Sequence, residues 1–533
     1  MSRPFDRRRF LRQGALTAVA LAAGPGLITA CSADGSTASP KAAAASGTPR
    51  AGGTLRAAFV GGGASETLDF FNGPTPLDLV RARAWHATLG NLDPTAEDGV
   101  RYGILKGIDV SEDLSTYTLH LRPDIRFTDG SALTSADVLH SLATLAAGST
   151  LPVFRMASLN FDLARAKADG ALKVILPTVR PIADGRLILC QGNFLVVKDG
   201  TKQFSTGMPS CGPFTLTEFT AGQGAAFTRN DDYYGAALGQ GPRLAGLELR
   251  SIADSDARAG ALTSGEVDFV HDLSPVTART LSANEKFDLV SSRSPYLVGL
   301  SFRMNMNVKP FDDERVREAF KLAADREAMV RTVFYGNATV GNDLPSMGFP
   351  DYVEGLAQRA HDPDKARSLL KAAGAEGMEI VLTTGPETPG MVEVATLYVE
   401  DLKKIGVRAS LKELPAGQLF ADFAAYTRLP LAASYQVPVP ALSTYQIGTA
   451  GGAPSAFGWK RPDVDALVSK SRAQSEPAEA KRIGTEAQKE QWEDGNTVLP
   501  VFKPYVNAQA KGVTGIQDDL FEQFPGFSRA ALT

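Results

Sequence analysis

Alternating runs and helical periods follow each other along most of this chain. Thr54–Val60 reads as a strand that ends at the turn Gly61–Gly63, and Tyr117–Leu121 alternates apolar and polar residues as a half-buried strand does. Thr134 is a good N-cap for a helix whose Val138, Leu142 and Leu145 form an apolar face. The pattern predicts an α/β fold, and no short repeat interrupts it.

Two later segments have the period of amphipathic helices. Arg315–Val330 follows the acidic Asp312-Asp313, and the chain from Asp362 reads as a short capped helix that ends at Gly374. Both segments carry apolar residues on one face and charges on the other, so we expect each to pack against a sheet.

The first thirty residues are typical of an export signal. The basic Arg7-Arg8-Arg9 precedes the apolar Ala15–Ala23, which is too short to span a bilayer permanently. Leu27–Cys31 resembles a bacterial lipoprotein processing site, which would make Cys31 the lipidated first residue of the mature protein. A weak transmembrane anchor with an incidental cysteine is the alternative. The two leading arginines resemble a twin-arginine signal, but Asp6 departs from that pattern, so Sec export also stays open.

Composition describes the rest of the chain as globular. The 533 residues correspond to three or so domain-sized units, and 44% hydrophobic with 21% charged residues excludes a disordered chain or a polytopic membrane protein. The net charge is −4, and five of the 55 basic residues but one acid precede Ala30, so the rest of the chain carries −8 and is unsuited to duplex nucleic acid. Residues 32–50 are small and polar, as in a flexible tether.

Two of the three cysteines remain after Cys31. Cys190 and Cys211 each adjoin a strand-like run, RLILC and CGPFTL, and in an exported protein we expect them to form a disulfide; two buried thiols are the alternative. The five histidines show no metal-binding spacing, Gly61–Gly63 lacks the Lys-Ser/Thr of a phosphate loop, and no Gly-x-Ser-x-Gly elbow occurs. We therefore predict no metal, no cofactor and no catalytic residues.

Several blocks in order resemble one family, the extracytoplasmic solute-binding proteins of ABC importers, family 5, the peptide/nickel-binding type. The run LHLRPDIRFTDGSALTSADVLHSL is similar to the family signature. The further blocks, in family order, are Pro209–Phe219, Arg229–Gly235, Ser264–Val270, Val308–Val330, Asp362–Gly374 and Pro462–Arg482.

The resemblance implies a two-lobed periplasmic-binding-protein fold of type II, in the large three-domain cluster, with mixed sheets and a hinge between lobes that enclose a solute. The implied divisions are a signal peptide at 1–30, a lipid-anchored linker at 31–52, the core of lobe I at 53–94, 207–295 and 501–533, an inserted subdomain at 95–206, and lobe II at 296–500.

The resemblance also directs attention to the cleft. Peptide-binding members hold the ligand's α-amino group with an acid, but the corresponding stretch here, Leu431–Gly448, has neither acid nor Trp. Burying an ammonium without a carboxylate costs on the order of several kcal/mol. We therefore expect this stretch to contact the solute through neutral hydrogen bonds and aromatic faces instead. A packing role stays open for each of the predicted cleft residues, which are Glu66, Phe71, Asn72, Arg303, Asn305, Tyr435, Gln436, Tyr445 and Trp459.

The predicted function is that of a monomeric lipoprotein at the extracytoplasmic face of the cell membrane. It would capture a peptide-like or neutral organic solute and deliver it to an ABC permease with its ATPase subunits. An exported hydrolase on the same scaffold and a receptor that feeds a signalling partner are the alternatives, and a sugar, an oligosaccharide or a metal chelate is the alternative cargo.

Overall fold

The computed structural model describes residues 48–72, 74–93, 96–148, 156–440, 457–516 and 525–533. Strands and α-helices alternate through these ranges, as the sequence pattern predicts. Two short 3-10 helices lie at Gly63–Ser65 and Tyr234–Leu238.

The strands are numbered in chain order. They are β1 (Thr54–Phe59), β2 (Ala87–Thr88), β3 (Gly90–Leu92), β4 (Val100–Tyr102), β5 (Leu105–Val110), β6 (Thr116–Leu121), β7 (Lys167–Ala168), β8 (Lys173–Pro177), β9 (Leu195–Val196), β10 (Phe214–Thr220), β11 (Gly224–Arg229), β12 (Gly246–Ser251), β13 (Phe269–Val270), β14 (Phe287–Ser291), β15 (Val298–Met304), β16 (Thr339–Val340), β17 (Glu379–Thr384), β18 (Arg408–Glu413), β19 (Leu431–Gln436), β20 (Thr497–Lys503), β21 (Val506–Ala510), β22 (Val513–Thr514) and β23 (Ala531–Leu532).

The α-helices of the described ranges are numbered in the same way. They are α1 (Pro76–Trp85), α2 (Ser135–Gly148), α3 (Met156–Asn160), α4 (Gly185–Leu189), α5 (Ser255–Thr263), α6 (Pro275–Ser282), α7 (Glu314–Ala323), α8 (Arg326–Phe334), α9 (Pro363–Ala372), α10 (Met391–Lys404), α11 (Phe423–Tyr426), α12 (Pro462–Arg472) and α13 (Pro477–Asp494).

Three sheets organise the chain. A seven-stranded mixed sheet has the order β10-β11-β12-β1-β13-β21-β14, and we call the body built on it lobe I. A six-stranded mixed sheet has the order β16-β20-β15-β19-β17-β18, and we call its body lobe II. The antiparallel sheet β5-β6-β8-β7 forms the inserted subdomain. The fold is therefore mixed α/β with two lobes, as expected.

Each body has its own apolar core. In lobe II, the rings of Phe302 on β15 and Tyr398 on α10 stack with centroids 4.4 Å apart, which fixes the helix against the sheet. In the inserted subdomain, Tyr117 and Leu119 on β6 are fully buried together with residues of α2. Phe71 belongs to the same cluster, which ties the subdomain to lobe I.

Local capping explains where the helices begin. The carboxylate of Asp137 accepts hydrogen bonds from the backbone and hydroxyl of Thr134, at 2.6 and 2.9 Å, where the sequence predicts a helix start. The predicted helix Arg315–Val330 is wrong in one respect, because the structure divides it into α7 and α8. Ala324 is extended, and the side chain of Asp325 accepts from the amide of Ala328 and so caps a second helix.

The structure has no disulfide between Cys190 and Cys211, which corrects the expectation from the sequence. Both residues are buried in the same hydrophobic cluster as thiols. The RLILC run is not a strand: it forms helix α4, and Cys190 follows the helix as its C-cap, packed close to Gly90. Burial raises the pKa of Cys211 to about 12, so its thiol is unreactive in the folded protein.

Thiol titration tests this packing directly. When the chain from Gly52 onward is unfolded without reductant, we expect two titratable thiols, from Cys190 and Cys211. The folded protein should react far more slowly, because burial disfavours the thiolate. Recovery of thiols only after addition of reductant would show that the two residues are bonded.

Candidate functional site

The two lobes are joined where the chain crosses from one sheet to the other. The first crossing connects β14 to β15, and the second connects β20 to β21. The crossings pair with each other: the amide of Ser292 donates to the carbonyl of Tyr505 at 2.9 Å, and the amide of Tyr505 donates to the hydroxyl of Ser292 at 2.9 Å. Two short, mutually bonded connections form the geometry of a hinge.

A buried ion pair lies at this junction. The ammonium of Lys503, at the end of β20, donates to both carboxylate oxygens of Asp272 at 2.8 and 3.0 Å, and the two side chains are 2% and 7% exposed. Asp272 follows β13 of lobe I, and the side chain of Asn507 accepts from its amide at 3.0 Å. Such a pair needs several simultaneous hydrogen bonds to offset its desolvation, and this one has them.

Lobe II also reaches this carboxylate. The hydroxyl of Thr388, which follows β17, lies 3.4 Å from Asp272. One carboxylate of lobe I therefore contacts both the crossing strand and a loop of lobe II. A change in the angle between the lobes would alter these contacts.

An aromatic stack adjoins the ion pair. The imidazole of His271 lies between the rings of Phe59 and Tyr505, with centroids 5.2 and 5.6 Å apart. Burial lowers the pKa of His271 to about 4, so the ring is neutral at pH 7. The ammonium of Lys503 lies 5.1 Å above the ring of Tyr505. Three neutral, stacked rings therefore pack beside the ion pair at the hinge.

Two of the predicted cleft residues lie at the end of β19, an interior strand of the lobe II sheet, beside the start of β15. Tyr435 and Gln436 end β19, beside Phe420, whose ring is 5.7 Å from that of Tyr435. Burial and then the nearby Glu387 raise the pKa of Tyr435 to about 12, so it offers a neutral hydroxyl. The side-chain oxygen of Gln436 is buried and has no hydrogen-bond partner among the described residues. It is an acceptor available to a donor.

Arg303 is a buried cation without a counter-charge. Its guanidinium donates to the hydroxyl of Thr497 at 2.8 Å, and no carboxylate of the described residues forms an ion pair with it. The residue is only 6% exposed, and burial lowers the pKa of its guanidinium. Since an unpaired buried charge is unfavourable, this position favours an anionic group.

Arg303 and Gln436 belong to one face of the lobe II sheet. Side chains alternate along a strand, so Gly299, Ser301 and Arg303 share a face of β15, and Gln436 pairs with Gly299 while Ser434 pairs with Ser301. The strip from Arg303 to Gly299 covers five residues, so its ends are four steps apart, about 13 Å at the rise of a strand. It carries a cation at one end, hydroxyls in the middle and an amide oxygen at the other.

Four other predicted cleft residues have structural contacts. Glu66 accepts from Arg81 at 2.9 Å and from Ser251 at 2.5 Å, and the guanidinium–carboxylate pair is fully buried. The side chain of Asn305 donates to the carbonyls of Thr427 and Leu429 at 3.0 and 3.1 Å, which secures the loop before β19. The other two, the buried Phe71 and Trp459, are apolar core residues.

The remaining predictions fall at the surface or outside the described ranges. Asn72 is exposed and donates to Asp69. Tyr445 and Cys31 lie outside the residues that the structure describes. The sequence reasoning missed Asp272, His271, Thr388, Lys503 and Tyr505. The one local signal was that His271-Asp272 directly follow the SGEVDFV block, at the end of a strand.

The described ranges show neither a metal cluster nor a membrane span. No three His, Cys, Asp or Glu side chains within them are grouped to hold a metal ion. No helix within them is both long enough and apolar enough to cross a bilayer.

The same arrangement of lobes is found in known proteins. Residues 99–453 match the family described as bacterial extracellular solute-binding proteins, family 5 Middle. The chain belongs to this family. It is therefore the solute-binding component of an ABC importer, and members of the family act outside the cytoplasm as binding proteins.

Individual relatives support this placement. The glutathione-binding protein GsiB of Salmonella typhimurium is 25% identical over 480 residues, which are 84% of this chain and 89% of GsiB. The Helicobacter pylori protein DppA in complex with the peptide STSA superposes with a TM-score of 0.78 at 19% identity, over 91% of this chain and 98% of DppA.

A third relative binds another class of compound. AgaA from Agrobacterium tumefaciens R10, in complex with agropinic acid, has a TM-score of 0.75 and 23% identity, over 89% of this chain and 96% of AgaA. At this identity, the two superpositions establish the fold of this solute-binding protein.

Disrupting the hinge ion pair should destabilise the protein. Lys503→Met leaves the Asp272 carboxylate buried and unpaired, so we expect a loss of about 3–5 kcal/mol in the free energy of unfolding, measured by denaturant titration. The double variant Lys503→Met/Asp272→Leu should recover most of the loss. Lys481→Met, which removes only an exposed pair with Glu354, is the control. A fully stable Lys503→Met single variant would contradict the account of the pair.

Proposed function

We propose that this solute-binding protein captures a small peptide-like or other organic solute that carries an anionic group, and hands it to the permease of an ABC importer. The observation that carries the proposal is Arg303, a buried guanidinium with no carboxylate partner among the described residues. An anionic group of the solute would supply the missing charge in a charge-assisted hydrogen bond.

The rest of the polar strip suits the same kind of solute. Ser301 and Ser434 offer hydroxyls between the two ends, and the unpartnered oxygen of Gln436 accepts from an amide, a hydroxyl or an ammonium. A length of about 13 Å suits a solute of roughly four extended residues. Among the relatives, GsiB is named as glutathione-binding, and AgaA is in complex with agropinic acid, an acid by its name.

The cellular setting follows from the family and from the signal. We propose that lobe I and lobe II, divided as the sequence analysis sets out except that Val501–Lys503 belong to the lobe II strand β20, enclose the solute by rotation about the paired crossings. We also propose that the protein is a monomer, held at the extracytoplasmic membrane face through lipidated Cys31. The permease with its ATPase subunits is the partner.

A solute screen combined with one substitution tests the cargo. Native mass spectrometry and thermal shift should compare glutathione, a dipeptide with free termini, its N-acetylated and C-amidated forms, a neutral oligosaccharide and a nickel–histidine chelate. We expect solutes with a free carboxylate to raise the melting temperature by preferential binding to the folded state, and the bound mass to be released unchanged. Preference for the C-amidated peptide or the neutral sugar would contradict the proposed anionic group.

Arg303 separates a binding role from a packing role. Arg303→Met removes an unpaired buried charge, so the variant without solute should melt at the same or a higher temperature. Its affinity for the anionic solute should fall at least tenfold, with Arg303→Lys intermediate. Thr497→Val, which removes the hydroxyl that accepts from Arg303 but keeps the guanidinium, is the matched control. A lower melting temperature with unchanged affinity would assign Arg303 to the scaffold.

Membrane fractionation tests the anchor. Cys31→Ser should move the exported protein from the membrane fraction to the soluble fraction, because the thiol that receives the lipid is absent. Ser32→Ala, at the next position, should leave the protein on the membrane. Retention of Cys31→Ser on membranes after a carbonate wash would contradict lipidation.

A further inference from the structure

A second contact joins the two bodies at a place separate from the crossings. Arg472 is the last residue of α12, and its guanidinium donates to both carboxylate oxygens of Asp184 at 2.8 to 3.1 Å. It also donates to the side-chain oxygen of Asn160 at 2.7 Å. The side chains of Arg472 and Asp184 are 5% and 16% exposed. This two-pronged geometry is the strong form of the arginine–carboxylate pair.

Backbone and neighbouring groups extend the contact. The amide of Ala183 donates to the carbonyl of Arg472 at 2.7 Å. One turn earlier in α12, the hydroxyl of Ser469 accepts from Arg180 at 3.2 Å. The last turn of α12 is therefore fastened to the loop before α4 through both main chain and side chains.

The two sides of the contact belong to different bodies. Val464 and Val468 of α12 pack in a lobe II cluster that also contains Ala487 of α13. Met156 of α3 and Ile188 of α4 pack in the core of the inserted subdomain, which is tied to lobe I. Arg472 and Asp184 are 288 residues apart in the chain, so the contact connects the two bodies in addition to the hinge and to the stacking of Arg279 of lobe I on Tyr335 of lobe II.

Asp184 gives up a local role for this contact. It occupies the N-cap position of α4, but its side chain makes no capping hydrogen bond there. Asp254 and Asp362, at the N-caps of α5 and α9, do accept from their own helices. The carboxylate of Asp184 is directed to the other lobe instead, although capping is the usual role of an aspartate at this position.

We propose that Arg472, Asp184 and Asn160 form a closure latch, which stabilises the closed arrangement of the lobes without any contact to the solute. Its hydrogen bonds run from Arg472 on one body to Asp184 and Asn160 on the other, so the latch exists only while the two bodies are in contact. The apparent affinity of a hinged receptor is its intrinsic affinity scaled by the closed population. Arg472 thus sets the affinity from outside the cleft, an inference that rests on the two-lobed solute-binding function.

Hydrogen exchange of the full chain tests the latch without any solute, so its outcome is independent of the cargo proposal. In Arg472→Gln and in Asp184→Asn, we expect the amide of Ala183 to exchange on the order of tenfold faster, because its acceptor moves away when the lobes part. Peptides of β6 and β15 should keep their protection. Small-angle scattering should show a larger radius of gyration in both variants.

The control is Arg482→Gln on α13, which removes an exposed arginine that pairs with Glu479 and Glu486 within its own helix. It should change neither the exchange at Ala183 nor the scattering. Unchanged exchange and scattering in both latch variants would overturn the proposal. So would faster exchange spread through both cores in Asp184→Asn, since that would show a general structural role. The double variant should match the single variants, because each removes the same interaction.

Discussion

The ion pair between Asp272 and Lys503 is the constraint on which the junction of the two lobes depends. Lys503 ends a strand of lobe II, and Asp272 follows a strand of lobe I, so their contact holds the ends of these two strands together. Because both charges are buried, neither can leave without exposing the other to an apolar environment. The ring of Tyr505, two residues after Lys503, is placed by this contact and in turn packs on His271.

Local signals in the sequence were sufficient for much of the scaffold. Strand β1 and the capped start of α2 at Thr134 both depend on neighbouring residues, and each has the predicted form. The division between α7 and α8 was missed because the amphipathic period continues from Arg315 to Val330 across Asp325. The extended backbone at Ala324 allows the side chain of Asp325 to accept from the amide of Ala328, and the hydrophobic pattern does not show this change of direction.

Long-range contacts explain why the site was predicted less well. Asp272 and Lys503 are 231 residues apart, and no local pattern shows that one will neutralise the other. Tyr435, Gln436 and Arg303 were predicted from a family resemblance. They lie on two neighbouring strands of the lobe II sheet, but Tyr435 pairs with Leu300 and so faces the side opposite to the other two. Phe71 was an equally plausible cleft residue by sequence, because an aromatic side chain suits both a ligand contact and a core position. The structure places it in an apolar core.

The order of strands in lobe I has a consequence for how the protein is made. Among the described strands, β14 pairs only with β21, and β21 lies between β13 and β14 in the sheet. The ribosome therefore releases β14 long before its partner exists, while all strands of lobe II are synthesised in between. Lobe II can assemble during translation, but lobe I stays incomplete until β21 emerges. A premature stop before Val506 would thus remove an interior strand of the first lobe, not a dispensable tail.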